Sequence, residues 1–124
     1  YGEMLGARIA RHDTACWLVN TGWSGGSYGV GNRMKIQYTR SLLHAALDGT
    51  LAKAPMRVDP NFGLDVPETC PHVPSGVLNP RNTWADKDAY DQTARELVAR
   101  FRANFDPFEA YVTDEIKAAA PKAA

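Results

Sequence analysis

The sequence predicts an α/β fold, and three consecutive stretches carry that prediction. Ala15–Val19 (ACWLV) is apolar on both alternating faces, as a central strand of a sheet covered on both sides would be. Asn20–Asn32 is rich in glycine and reads as a turn, because glycine reaches backbone conformations closed to other residues. Ile36–Leu47 sets Ile36, Thr39 or Arg40, Leu43 and Leu47 on one helical face, and Gly49 supplies the stop. Strand, glycine-rich turn and helix in that order can hold a charged ligand against backbone N–H groups at a helix start.

The remaining elements are read in the same way. Tyr1–Arg11 predicts a helix, with Tyr1, Leu5 and Ile9 on one face, Met4 beside them and His12-Asp13 as the end. No capping residue precedes that pattern, so the expectation is a segment of a longer protein that continues upstream. Leu51–Ala85 holds six of the eight prolines, Pro55, Pro60, Pro67, Pro71, Pro74 and Pro80, which excludes a long helix or a central strand. It is expected as an irregular wrap over a larger body, pinned by Phe62, Leu64, Val66, Val73 and Leu78. A second long helix follows, capped by Asp86 or Asp88, with Tyr90, Ala94, Leu97, Phe101 and Phe105 as its apolar stripe. A short third helix starts at Asp106-Pro107, with Phe108, Val112 and Ile116 on one face. Lys117–Ala124 (KAAAPKAA) reads as a fraying end, which divides the chain into a structural segment, 1–116, and a flexible tail, 117–124.

Composition narrows the function. With 124 residues there is room for one modest domain. The 14 basic and 14 acidic residues balance, which argues against a general electrostatic grip on nucleic acid or on an anionic membrane. No apolar run reaches membrane-spanning length, and Glu3, Arg8 and Arg11 interrupt any secretory pattern at the start, so a cytoplasmic protein is expected. Cys16 and Cys70 are expected as two reduced thiols rather than a bridge. His12, His44 and His72 are scattered and no Cys/His cluster has metal-site spacing, so no metal ligand is assigned.

The glycine-rich turn is where chemistry is sought. Gly26–Gly31 has the glycine-x4-glycine spacing of a phosphate-binding loop, but Asn32 and Arg33 stand where Lys and Ser/Thr would hold phosphate and magnesium. The residues that follow offer a different site. Arg33 can stack on a base or bind phosphate, Met34 offers a soft apolar contact, and Thr39 one turn further on can hydrogen-bond. Together they would line a nucleobase slot. The same residues also fit a plainer arrangement: a solvated arginine, a core methionine and a threonine bonded to its own helix.

Longer runs carry more specific information. LVNTGW at Leu18–Trp23 and GNRMKIQYTR at Gly31–Arg40 resemble the ATP-dependent phosphoenolpyruvate carboxykinase family. ALDGTL at Ala46–Leu51, DPNFGLDVP at Asp59–Pro67, LNPRNTWAD at Leu78–Asp86 and NF at Asn104-Phe105 agree with it. The resemblance covers essentially the whole chain and only the C-terminal part of that enzyme. It implies the end of a mononucleotide-binding carboxykinase domain, with ATP as cosubstrate and oxaloacetate as substrate. The residues matching Arg33, Met34 and Thr39 would contact the nucleoside end of ATP. Mg2+ and Mn2+ would be held upstream, with the phosphate-binding loop and the substrate arginines, in the remainder of the carboxykinase chain. The resemblance therefore assigns no catalytic and no metal-binding residue to these 124 positions. Two departures stand out: the turn is lengthened through Gly25–Val30, and Asn32 and Met34 replace the family's frequent Lys and Ile. Outside the resemblance, the residues also fit a non-catalytic α/β nucleotide-binding or scaffold module.

Overall fold

The computed structural model describes residues 1–123 and is a mixed assembly of helices and two small two-stranded sheets. Helix α1 spans Gly2–His12, close to the predicted bounds, and ends where Asp13 takes a left-handed conformation with φ 48°. None of its residues is buried: Met4 and Leu5 are exposed and Ile9 is half-buried.

The predicted strand Ala15–Val19 does not form. Residues 14–21 have no regular structure, and no described segment pairs with them. A strand exists only through its ladder partner, and apolar composition cannot supply one. Leu18 is 85% exposed and Val19 51%, while Trp17 is half-buried against the core.

The glycine-rich turn closes a hairpin rather than joining a strand to a helix. β1 (Trp23–Ser24) pairs antiparallel with β2 (Asn32–Arg33) in the register Trp23↔Arg33 and Ser24↔Asn32. Met34 N–H extends the pairing to Gly22 C=O at 3.0 Å. Helix α2 then spans Ile36–Leu47, as predicted. Asp48 N–H bonds His44 C=O at 2.9 Å, and Gly49 at φ 79° turns the chain out of the helix.

The proline-rich segment is more ordered than its composition predicts. A 3-10 turn at Leu51–Lys53 buries Leu51. β3 (Met56–Val58) and β4 (Asp65–Pro67) then form a second hairpin, with Met56 opposite Pro67. A two-stranded ribbon has open outer edges, so the N–H that Pro67 lacks costs little. Asp59 builds the connecting turn: its carboxylate accepts from Asn61 N–H at 3.0 Å and Phe62 N–H at 2.9 Å. A 3-10 turn at Ser75–Leu78 and the short helix α3 (Pro80–Thr83) complete the segment.

Helix α4 spans Lys87–Phe105, and of the two candidate caps it is Asp86 whose carboxylate accepts from Asp88 and Ala89 N–H. Its buried positions are Ala94 and Val98, whereas Leu97 and Phe101 of the predicted stripe are exposed. Phe101 meets Phe62 edge-on, with ring centroids 6.2 Å apart. The predicted third helix divides in two. Asp106–Tyr111 is 3-10, and α5 (Asp114–Ala118) starts afresh with Thr113 as its cap. Asp106 is the C-cap of α4, its N–H bonded to Arg102 C=O, and not the N-cap of the 3-10 turn, where Phe105 stands. The segment expected as a tail, 117–124, thus begins inside α5, and Lys122 N–H reaches back to Asn61 C=O at 3.0 Å. Ala124 lies outside the described residues.

The core joins α2 to the proline-rich segment. Ala45, Leu51, Cys70, Val73 and Leu78 are buried together, with Trp17, Tyr38, Leu42, Ala46 and Val77 packed against them. Of the residues expected to pin the wrap, Val73 and Leu78 do so, while Leu64 faces solvent. Leu51→Ala should lower stability by about 2–5 kcal/mol, the usual cost of emptying a buried leucine site. Leu47→Ala, at a residue 86% exposed, should change it by less than about 0.5 kcal/mol. Urea unfolding of both variants checks this, and equal shifts would refute the assignment of the core.

Candidate functional site

A groove of about 520 Å3 opens between the irregular segment 17–22, the first hairpin, α3 and α4. All three tryptophans, Trp17, Trp23 and Trp84, line it. Leu18 and Val19, predicted as buried strand residues, stand on its wall. Asn20, Thr21, Ser24, Arg57 and Asp59 add polar groups. A largely apolar, aromatic cleft with a few convergent polar groups is the usual form of a small-molecule site.

The hairpin at its rim is tightly determined. Trp23 Nε1–H donates to Ser27 C=O at 3.2 Å, and the Trp23 and Tyr28 rings lie 5.5 Å apart. Val30 and Gly31 N–H both bond Ser27 C=O at 3.0 Å. Those N–H groups are spent inside the turn, so they do not form the phosphate cradle that glycine spacing invites. Gly31 is obligatory for packing: a Cβ there would meet Ser24 C=O at 2.5 Å and Gly26 C=O at 2.7 Å.

The three predicted contact residues take different positions. Met34 lines the groove. Arg33 is exposed on β2 directly opposite Trp23, outside the groove lining. Thr39 is half-buried in the first turn of α2, also outside the lining, and its N–H bonds Lys35 C=O at 3.4 Å. Sequence reasoning passed over the groove's tryptophans, because large aromatic residues are read first as core. It also passed over Tyr90, which lines the groove and meets Trp84 edge-on at 5.6 Å. Burial pushes the Tyr90 phenol up, and the Asp59 carboxylate adds to the shift.

Side-chain ties fix α3 beside α4. Arg81 and Asp91 form a two-pronged ion pair with both N···O distances 2.8 Å. That hydrogen-bonded fork raises the Arg81 pKa and holds Asp91 below the usual carboxylate range. Lys87 Nζ donates to Arg81 C=O at 2.8 Å and Trp84 C=O at 2.7 Å, satisfying carbonyls at the end of α3. Among the described residues no three His, Cys, Asp or Glu side chains gather as a metal site. No helix among them is long and apolar enough to cross a membrane.

Comparison with known proteins fixes the family. The model of the family described as phosphoenolpyruvate carboxykinase matches residues 1–76. The protein named phosphoenolpyruvate carboxykinase (ATP) from Geotalea uraniireducens is 63% identical over 116 residues, 94% of this chain and 22% of that protein. The protein of the same name from Parvibaculum lavamentivorans is 57% identical over all 124 residues, 23% of its length. A third, from Brucella suis, is 58% identical over 121 residues. The chain belongs to the ATP-dependent phosphoenolpyruvate carboxykinase family. It spans about a fifth of the length of the curated relatives it matches.

The Arg81–Asp91 fork makes a pH prediction. Because the folded Asp91 pKa is depressed, its stabilisation is full above the unfolded carboxylate value of about 3.9 and is lost as pH falls through the folded value. The stability gap between wild type and Asp91→Asn should be constant near neutrality and close in acid. Chemical denaturation across a pH series measures it, and a gap that widens in acid would contradict the fork.

Proposed function

We propose that this chain acts as the C-terminal segment of an ATP-dependent phosphoenolpyruvate carboxykinase and contributes to the binding of ATP. The observation that carries the reading is the 57–63% identity to proteins of that name across 94–100% of the chain. In the reaction, oxaloacetate loses carbon dioxide, and the enolate oxygen left behind takes the γ-phosphoryl group of ATP, giving phosphoenolpyruvate and ADP. That chemistry belongs to gluconeogenesis, and we place it in the cytoplasm. When bound, Mg2+ and Mn2+ would supply charge stabilisation for the enolate and the transferring phosphoryl group. The described residues do not form a ligand set for them.

Within this reading the segment's part is the nucleoside end of ATP. Met34 supplies an apolar contact from the groove wall. Arg33, opposite Trp23 on the hairpin, supplies a guanidinium for base or phosphate, and Thr39 a hydroxyl. Residues 1–116 serve as the end of the nucleotide-binding domain, and 117–124 as its tail. The exposed apolar residues of α1 and the groove wall (Leu5, Leu18, Val19) support docking on the remainder of the carboxykinase chain. The alternative of a stand-alone, non-catalytic module is not favoured, since the relatives are named as carboxykinases.

Two measurements test the reading. In the full-length enzyme, Arg33→Ala should raise KM for ATP by about 10-fold or more, the cost of a lost charged hydrogen bond, and leave KM for oxaloacetate nearly unchanged. Equal effects on both substrates would count against it. The 124-residue segment alone should show no decarboxylation-coupled phosphoryl transfer, and robust turnover would refute the division of labour.

A further inference from the structure

We infer that Thr83 is a positioning residue for the glycine hairpin and, through it, for Arg33 and Met34. The inference rests on the nucleotide reading above and adds a residue that neither glycine spacing nor that reading includes. A hairpin of two residue pairs with a loop from Gly25 to Gly31 cannot hold its own place on a protein surface. Something outside it must fix where β2 delivers its side chains.

The tie is a hydroxyl relay. Ser24 Oγ–H donates to Thr83 Oγ1 at 3.2 Å, across 59 residues of sequence. Thr83 Oγ1–H in turn donates to Pro80 C=O at 2.7 Å. Acceptance from one side and donation to the other fix the Thr83 hydroxyl in a single orientation. Backbone packing brings the two elements together at the same point. Gly25, at φ +85°, lies so close to α3 that an added Cβ would stand 3.2 Å from Thr83 C=O. Any other residue at position 25 would be strained at that φ and would crowd the Thr83 carbonyl.

The anchor itself is rigid. Pro80 opens α3, the Arg81–Asp91 fork joins it to α4, and Lys87 holds the carbonyls of Arg81 and Trp84. The path therefore runs from α4 through α3 and Thr83 to Ser24. Ser24 is paired with Asn32, and Arg33 and Met34 follow directly. A displacement of Ser24 is carried across the ladder to the residues that face the nucleotide. Thr83 also lines the groove, and the role assigned to it is to hold Ser24.

The experiment uses steady-state kinetics of the full-length enzyme. Thr83→Val keeps the side-chain shape and deletes the relay. It should raise KM for ATP by about threefold to tenfold, the cost of one part-buried hydrogen bond, with kcat and KM for oxaloacetate held within twofold. Thr83→Ser should restore the wild-type value. Ser24→Ala, which breaks the same bond from the hairpin side, should match Thr83→Val, and the double variant should be no worse than either single one. If Thr83→Val fails to fold, Ser24→Ala alone decides. An unchanged KM for ATP in Ser24→Ala and Thr83→Val, while Arg33→Ala raises it, would overturn the relay and leave the nucleotide reading standing. An unchanged KM in all three would overturn both. A Thr83→Ser variant as impaired as Thr83→Val would assign the effect to methyl packing and overturn the relay.

Discussion

Leu51 enters the core where α2 ends, and Leu78 reaches the same core from the far end of the proline-rich segment. Their packing around Ala45, Cys70 and Val73 folds the 26 positions between them back onto one helix, and everything at the groove is placed relative to it. Burial on this scale is thin for 124 residues, and among the described residues no large side chain is completely enclosed. Short elements without a broad sheet behind them then need individual ties. Arg57 Nη2 donates to Leu78 C=O at 3.0 Å and joins the second hairpin to the core. Asp59, Asp86 and Thr113 each satisfy backbone N–H groups that their local geometry leaves open.

The two long helices were legible because their signals are local. Ile36–Leu47 has a periodic face and a glycine stop, and Lys87–Phe105 has an aspartate cap ahead of a periodic run. The stripe on α4 was read correctly at Ala94, but it took Leu97 in place of its neighbour Val98, which is buried while Leu97 is not. Ala15–Val19 misled because apolar composition reports burial against something and does not say that the something is a sheet. The second hairpin was hidden by its prolines. Its turn chemistry, Asp59 with Gly63 four residues on, was nevertheless present in the sequence.

At the groove, Met34 was legible from its place just beyond the turn. The aromatic walls were not, because Trp84 joins Trp17 and Trp23 only in space. The Ser24–Thr83 contact belongs to the same class, and no periodicity or spacing encodes a bond across 59 residues. Resemblance reached further than spacing here. Glycine-x4-glycine alone points to a phosphate cradle, whereas the structure spends the Val30 and Gly31 N–H groups on Ser27 C=O.

The two thiols differ in a way that has practical value. Cys70 is enclosed in the core, where desolvation and the nearby Asp48 charge push its pKa up and keep it protonated and sluggish toward electrophiles. Cys16 is open to solvent, with Sγ 3.7 Å from Thr14 C=O, and is the immediate neighbour of Trp17 on the groove wall. Maleimide chemistry would therefore attach a dye at one point of this segment without mutagenesis, beside a built-in indole, and make filling of the cleft visible as a change in emission.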